Sequence, residues 1–363
     1  MQNYTKNEKA IIWLDTFDFL SNKKKEDILS IFDEPQDIFE CFKNDYSKFQ
    51  ELLTIEQFDK MCKELNEVYL ENHIVNLSSK GVFVITFCSE NYPVQFFNFP
   101  DKPLILYCKG DVSLLDSLCV GIVGTRKPTI YGRNITEKFA KVLASSGLTI
   151  VSGLAEGIDA IAHRGALSVG GKTIAVLGGG FDHIYPKTNF NLERENEENG
   201  LLNREYAPNV LPANWHYPVR NRIIAGLSKA VVIPEASIKS GSMHTKNYCA
   251  EYGIDIYAVP GEITSFSSSG TNAIIKNCQA NIALSPEDVL DGLNVSKKYT
   301  PVVKNIQLSF EEQTVLNAID AETHFDEIQI KTKIDTKTLL TLLTTLELNG
   351  IIKKLTGNYY CKI

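Results

Sequence analysis

Val120-Gly121-Ile122-Val123-Gly124-Thr125-Arg126-Lys127-Pro128-Thr129-Ile130-Tyr131-Gly132-Arg133 decides the fold class of this 363-residue chain. Val120 to Val123 is a short apolar, β-branched run of the kind that forms a strand buried on both faces. Gly124 lets the backbone turn at the strand's carboxyl end, Thr125 and Arg126 bring a hydroxyl and a fixed cation, and Pro128 stops the strand. Beyond Gly132, Ile135, Phe139, Val142 and Leu143 recur at the spacing of a helix's buried face. Strand, glycine turn and helix make a phosphate-binding arrangement, in which free backbone N–H groups and the positive helix end point at one spot. The spacing is neither G-x-G-x-x-G nor G-x-x-x-x-G-K-[ST], so neither dinucleotide nor nucleoside triphosphate binding follows from it. A plain strand-to-helix connection would also use Gly124 and Gly132.

Repetition of the pattern raises the first turn above that plain reading. Leu148-Thr149-Ile150-Val151 predicts a second strand, followed by Ser152-Gly153-Leu154-Ala155-Glu156-Gly157-Ile158-Asp159 and a helix through Ala162 and Ala166. Thr173 to Leu177 is a third, ending in Gly178, Gly179 and Gly180. Ala230 to Ile233 is a fourth, and Ile254 to Val259 a fifth, ending at Pro260-Gly261. Strand alternating with helix is the rhythm of a doubly wound α/β sheet, whose strand ends open on one crevice. Segments placed to line it are Gly124-Thr125-Arg126 with Lys127, Ser152-Gly153, Tyr217 to Arg222, Ser240-Gly241-Ser242 through Thr245, and Ser269 to Asn272. Hydroxyls, glycine N–H groups and guanidinium groups are what phosphates require. For Arg220 and Arg222 the competing role is a salt bridge to a carboxylate such as Asp159 or Glu235.

Outside the middle the chain changes character. Residues 1–78 predict short helices, from Ile11, Ile12, Leu14, Phe17 and Leu20 through Ile28 and Ile31 to Leu52, Leu53, Ile55 and Phe58, packed as a small bundle of the helix-hairpin-helix or SAM-like kind. From Gly81, Val82 to Phe87 and Leu104 to Tyr107 predict strands that lead into the sheet of a core spanning 79–292. Residues 291–305 are polar, include Pro301 and predict a linker. Residues 306–363 predict three amphipathic helices, the last from Leu339 to Leu348 and ended by Gly350, then a hairpin around Gly357-Asn358, together a winged-helix module. Its last helix carries almost no basic residue, which argues against sequence readout of DNA.

The formal net charge is −7, but it is unevenly placed: residues 1–119 hold 12 Lys and Arg against 20 Asp and Glu, residues 120–290 hold 16 against 15, and residues 291–363 hold 9 against 9. The acidic first third argues against DNA binding by the bundle, whereas the neutral middle leaves room for a basic pocket. No apolar run has the length of a membrane span and Met1 to Lys9 is not a secretory signal, so the expected compartment is the cytoplasm. The eight scattered cysteines lack any C-x-x-C pair and are expected to be reduced and mostly buried. Asp159 and His163, four residues apart on one helix with Ser152 near, could suggest a catalytic set, although no G-x-S-x-G elbow is present. No two of His183, His216 and His244 have metal-ligand spacing.

Taken together, Gly124-Thr125-Arg126-Lys127-Pro128 with Tyr131-Gly132, Ser152 to Ala160 with Ala162-His163, Tyr217 to Ser228, and Ala258-Val259-Pro260-Gly261 followed by Gly270-Thr271-Asn272 resemble, in order, the DNA-processing protein A family, also called DprA or Smf. The resemblance is strong over about residues 80–290. It implies an extended Rossmann-like core that binds single-stranded DNA without sequence preference, forms a homodimer and helps load the RecA recombinase during natural transformation. It implies no catalysis and no cofactor. By resemblance the phosphate-binding arginine falls on Arg126, those of the R-N-R segment on Arg220 and Arg222 around Asn221, and the aromatic preceding it on Tyr217. Lys246 stands where the family usually has alanine and could add a cation. The alternative is a nucleotide-binding, phosphoribohydrolase-like enzyme of related core, but Pro260-Gly261-Glu262-Ile263 departs from that group's P-G-G-x-G-T-x-x-E signature.

Overall fold

The computed structural model describes residues 3–44, 46–183, 186–296, 308–320, 322–348 and 351–362. It divides into two compact units, Met1–Tyr299 and Thr300–Ile363. Most of the expected linker, including Pro301, and Gly350 lie outside the described residues.

The first unit opens with α1 (Lys6–Asp15), α2 (Asn22–Leu29), α3 (Ile38–Asn44), α4 (Ile55–Lys63) and α5 (Glu67–Ser79). Capping boxes at Thr5/Glu8 and Thr54/Gln57 satisfy the first N–H groups of α1 and α4. Their apolar faces close around Trp13, which meets Phe17, Phe39 and Phe42 edge-on at 5.1 to 5.7 Å. The expected boundary at 78/79 falls inside this unit, because Leu70, Ile74 and Leu77 share one core with Val82, Val84 and Ile105.

The sheet comprises β1 (Phe83–Thr86), β2 (Ile105–Gly110), β3 (Cys119–Ile122), β4 (Thr149–Ser152), β5 (Thr173–Leu177), β6 (Leu201–Arg204), β7 (Ala230–Ile233), β8 (Asp255–Ala258) and β9 (Asn281–Ile282). Their order is β1-β2-β6-β5-β4-β3-β7-β8-β9. From β6 to β9 neighbours are parallel, while β1 pairs with β2 and β2 with β6 antiparallel. The chain therefore winds outward from β3 through β4 and β5 to β6, then returns to β7 and winds the other way, so the topological switch lies between β3 and β7.

Alternate strand residues face opposite helix layers. Val120, Ile122, Ile150 and Val232 pack under α6 (Ile130–Ser145), α7 (Ile158–Ser168) and α12 (Pro286–Gly292). Cys119, Val151, Val231 and Ile233 pack under α9 (His216–Leu227), α10 (Ser242–Tyr252) and α11 (Ser269–Lys276). The remaining helix, α8 (Phe190–Asn199), joins the bundle side through Leu192.

Two core strands, β6 and β9, escape the sequence pattern. In β6, Asn203 and Arg204 read as surface residues yet are buried. Arg204 is neutralised there by Glu193 at 2.6 Å and by donation to the carbonyl of Gly179 at 2.5 Å. Strand β9 is only two residues long. All eight cysteines are unpaired, but only Cys108, Cys119 and Cys249 are buried, and Cys278 is exposed. Burial was expected of most; of the half-buried ones, Cys41, Cys62 and Cys88 lie at the bundle's margin and Cys361 on β12.

The second unit packs α13 (Phe310–Ala318), α14 (Phe325–Thr332) and α15 (Thr336–Leu348) with a sheet of β10 (Thr323–His324), β11 (Ile352–Lys354) and β12 (Tyr359–Lys362) in the order β10-β12-β11. Val315, Ile328, Leu339, Leu343 and Tyr360 form its core. Gly357 and Asn358 both take positive φ, 78° and 60°, which turns the hairpin as expected. This is a winged helix.

The bundle is joined to the sheet by buried polar contacts. Asn22 donates to Glu205 at 2.9 Å, Glu205 pairs with Arg222 of α9, and Lys25 and Tyr107 both meet Asp15, at 2.7 and 2.6 Å. Removing one partner of a buried pair leaves an uncompensated charge, whereas replacing both by apolar groups is close to neutral. Glu205→Ala should therefore lower stability by about 3–5 kcal/mol, measured from the urea midpoint, and the double variant Glu205→Leu/Arg222→Met should recover most of it.

Candidate nucleic-acid interface

A crevice of about 740 Å³ opens outside the carboxyl ends of the parallel strands at the β3/β7 switch. Its centre is the loop after β3. Gly124 is obligatory there, because a Cβ would lie 2.7 Å from both the Glu235 carbonyl oxygen and Ile158 Cγ1. Thr125 N–H donates to Glu235 O at 2.9 Å, and Thr125 O accepts from Ile158 N–H at 3.1 Å. The loop is thus clamped between the end of β7 and the start of α7, and Arg126 and Lys127 project from it, both exposed.

The Glu235 side chain corrects the first expectation about this loop. It accepts from Thr129 N–H at 2.8 Å and from the Thr129 hydroxyl at 2.7 Å, while Thr129 Oγ1 caps Gly132 N–H at 3.1 Å. A Cβ on Gly132 would fall 2.2 Å from Glu235 Oε2. The amino end of α6 therefore already holds an anion of the protein's own and offers no free phosphate site. Asp159, in the first turn of α7, is likewise committed within the protein: it accepts Gly153 N–H at 3.2 Å and lies beside Arg220. Anion binding in this crevice falls to side-chain cations and to the turn Ser240-Gly241-Ser242 at the start of α10, where no side chain caps the helix.

Tyr217, Arg220 and Asn221 come from the first turns of α9. The Tyr217 ring rests on Gly178 and lies 5.9 Å from the Arg126 guanidinium carbon. Arg220 is buried in the floor: it donates to Gly153 O at 2.8 Å and to Val176 O, and its Nε donates to Asn221 Oδ1 at 3.2 Å. Burial lowers its pKa to about 10, with Asp159 opposing that shift; burial in turn raises Asp159, against the pull of Arg220. Gly153 leaves room for it, since a Cβ there would lie 2.4 Å from the guanidinium and displace it.

Arg222, expected in the crevice, is not there. Two residues along a helix amount to about 200° of rotation, so it points the other way, into a buried pair with Glu205 and to Asp101 at 3.6 Å. The salt-bridge alternative thus holds for Arg222, with Glu205 and Asp101 in place of Asp159 or Glu235. Ser152, Gly153, Thr271 and Asn272 shape the crevice without lining it: the Ser152 hydroxyl donates to Ile122 O at 2.6 Å, Thr271 is buried against Ala236 and Ser268, and Asn272 exchanges two hydrogen bonds with Gly261, at 3.0 and 3.1 Å. Lys246 also lies off the crevice, its Nζ at 3.5 Å from Gln279. Conversely, Asn214, Ser237, Phe266 and Ser267 line it without having been singled out. Phe266 was legible as a lone aromatic in a serine-rich loop; Asn214 and Ser237 carry no signal of their own.

Asp159 and His163 do not form a catalytic pair. His163 is fully buried and its Nδ1–H donates to the Thr173 hydroxyl at 2.5 Å, which donates to Ile150 O at 2.8 Å, while Nε2 has no partner. Among the described residues no cluster of three His, Cys, Asp or Glu could hold a metal, and no helix is long and apolar enough to cross a membrane.

Fold and site define a Rossmann-like α/β core with a switch-point crevice and a winged-helix module, as in DNA-processing proteins. Residues 83–294 match the family described as DNA recombination-mediator protein A, and residues 303–358 match the DprA winged helix domain. The chain belongs to this family of DNA-processing recombination mediators. DNA processing protein DprA of Bacillus subtilis is 37% identical over 240 residues, 66% of this chain and 78% of that protein; Protein Smf of Escherichia coli is 34% identical over 301 residues, 80% of each. The X-ray structure of DprA from Streptococcus pneumoniae superposes with a TM-score of 0.66 at 31% identity, covering 80% of this chain and 98% of that one. The structure of the Helicobacter pylori protein, described for its single-stranded DNA binding mode, gives 0.54 at 36% identity over 59% of this chain and 95% of that one.

The buried His163 generates a pH prediction. Burial lowers its pKa to about 3, below the roughly 6.5 of an unfolded chain. The unfolded state therefore binds the proton first, so this contribution is intact above pH 6.5 and is lost progressively as pH falls from 6.5 toward 3, by about 2 kcal/mol at pH 5. Urea unfolding at pH 7.5 and pH 5.0 should show His163→Gln losing about 2 kcal/mol less than wild type over that interval.

Proposed function

We propose that the crevice binds single-stranded DNA without sequence preference, and that the chain acts as a homodimer that protects such DNA and passes it to the RecA recombinase during natural transformation, with no chemistry of its own. The observation that carries this reading is Arg126: an exposed guanidinium on a clamped loop, beside the Tyr217 ring, at the sheet's switch point. Arg126 and Lys127 neutralise phosphates, the turn Ser240-Gly241-Ser242 with Asn221 and the Thr125 hydroxyl hydrogen-bonds to them, Gly124 turns the loop that carries these groups, and Tyr217 stacks on a base. Arg220 contributes a fixed positive floor. Ser152, Gly153, Thr271 and Asn272 position these groups, and Arg222 and Lys246 have no direct part.

Family membership supports the mediator role, and the single-strand binding described for the Helicobacter pylori relative supports the ligand. A second copy is supported by the edge at β9, where Ile282 and Leu284 are exposed and, among the described residues, the strand is paired on one side only. Transfer to the recombinase rests on the resemblance of the motif set.

Neutralising phosphates releases counterions, so binding must weaken as salt rises. Labelled oligo-dT should bind more tightly than the matching duplex, and Arg126→Ala should weaken oligo-dT binding by about tenfold or more while reducing the log–log salt slope by about 0.7. Equal affinity of wild type and Arg126→Ala for oligo-dT would remove the crevice as the binding site.

A further inference from the structure

Two large aromatic side chains at the rim of the crevice have no role in the contacts above. Trp215 is 62% exposed on the residue before α9, and Phe266 is 70% exposed on the loop between β8 and α11. Phe266 lines the crevice directly, and Trp215 lies between the lining residues Asn214 and Tyr217.

Their places on the sheet edge are opposite. His216 Nδ1–H donates to Gly178 O at 2.9 Å and Tyr217 rests on Gly178, so the start of α9 is pinned above the end of β5. Phe266 follows β8. Between them in the strand order come β4, β3 with Arg126, and β7 with the Ser240 turn beyond it. Four strand spacings separate β5 from β8, about 19 Å, which is longer than one nucleotide. The sheet edge thus presents aromatic, cation and aromatic groups in a row, matching the alternation of bases and phosphates along a strand.

Trp215 is also held in place. Its ring meets His216 edge-on at 4.1 Å, and His216 is stacked on Tyr206 at 4.0 Å with 21° between planes. An exposed aromatic braced in this way loses little freedom when a base settles on it, and any base suffices because every base has a π-face.

We propose that Trp215 and Phe266 are base-stacking platforms at the two ends of the crevice, so that a single strand runs along the carboxyl edge of the sheet from β5 to β8 with Arg126 holding a phosphate between them. This rests on the single-strand reading above. A duplex, its bases already stacked, cannot use either platform.

The chain carries its own probe. Of its two tryptophans, Trp13 is 1% exposed inside the bundle, so a fluorescence change on binding reports Trp215. The experiment titrates the full chain with labelled oligo-dT and with an abasic deoxyribose-phosphate oligomer of the same length, following both label anisotropy and tryptophan emission. Oligo-dT should quench Trp215, and the abasic strand should not. Trp215→Ala and Phe266→Ala should each weaken oligo-dT binding by about tenfold, leave abasic binding and the salt slope unchanged, and keep the wild-type urea midpoint; Trp215→Phe should restore most of the affinity. Tight wild-type binding with unquenched tryptophan and unaltered affinity in both alanine variants would overturn this path while leaving the single-strand reading intact. Failure of the wild type to bind any oligonucleotide would overturn both.

Discussion

The carboxylate of Glu235 is the contact on which the crevice depends. It stands at the end of β7 and reaches across the switch point to both the N–H and the hydroxyl of Thr129, while its carbonyl oxygen receives the N–H of Thr125. One residue thereby ties the strand that begins the second winding to the loop that opens the first. A buried carboxylate with both oxygens hydrogen-bonded is worth its desolvation only where it fixes a geometry, and the geometry fixed here is that of Arg126. The same contact explains two glycines: the Glu235 backbone fills the space above Gly124, and its side chain fills that beside Gly132.

This arrangement also separates the crevice from a nucleotide-binding loop built on helix dipoles. In such loops the helix amino end is left open for the ligand's phosphate. Here the end of α6 is taken by Glu235, the carboxylate of Asp159 sits in the first turn of α7, and Arg220 is consumed by backbone carbonyls and by its position beside Asp159. The fixed charges of the floor nearly cancel. The cations left at the crevice mouth, Arg126 and Lys127, sit in a segment with 16 basic and 15 acidic residues between 120 and 290, and with Arg220 they outnumber the one carboxylate of the lining, Asp159, although the protein as a whole is acidic.

Much of this was legible before any coordinates. Short apolar, β-branched runs located β3, β4, β5, β7 and β8, all but β7 followed within a few residues by glycine, because a strand buried on both faces has no freedom to be polar. Strand β6 was hidden for the converse reason: Arg204 is tolerated inside only because Glu193 and the carbonyl of Gly179 lie in reach, partners 11 and 25 residues away in sequence, and the Asn203 amide meets Cys108 Sγ of β2 at 3.8 Å. The site shows the same division. Arg126 was found because turn chemistry is local, whereas the sorting of Arg220 from Arg222 required knowing which carboxylate each face of α9 meets. The Gly270-Thr271-Asn272 segment looked like ligand chemistry and is loop chemistry, since Asn272 and Thr271 spend their hydrogen bonds on Gly261, Ala236 and Ser268.

Helix α9 shows why bundle and crevice belong to one unit. Its front face carries Tyr217 and Arg220 into the crevice, and its back face carries Arg222 into the pair with Glu205, which in turn accepts from Asn22 of the bundle. The backbone of α9 is therefore held from both sides by buried guanidinium groups, one bonded to the ends of β4 and β5 and the other to the residue that follows β6. A helix fixed in this way cannot rotate or slide without exposing a charge to an unpaired interior, and the position of Tyr217 against Arg126 inherits that rigidity. The bundle, whose carboxylates outnumber its lysines, contributes to the site through this constraint.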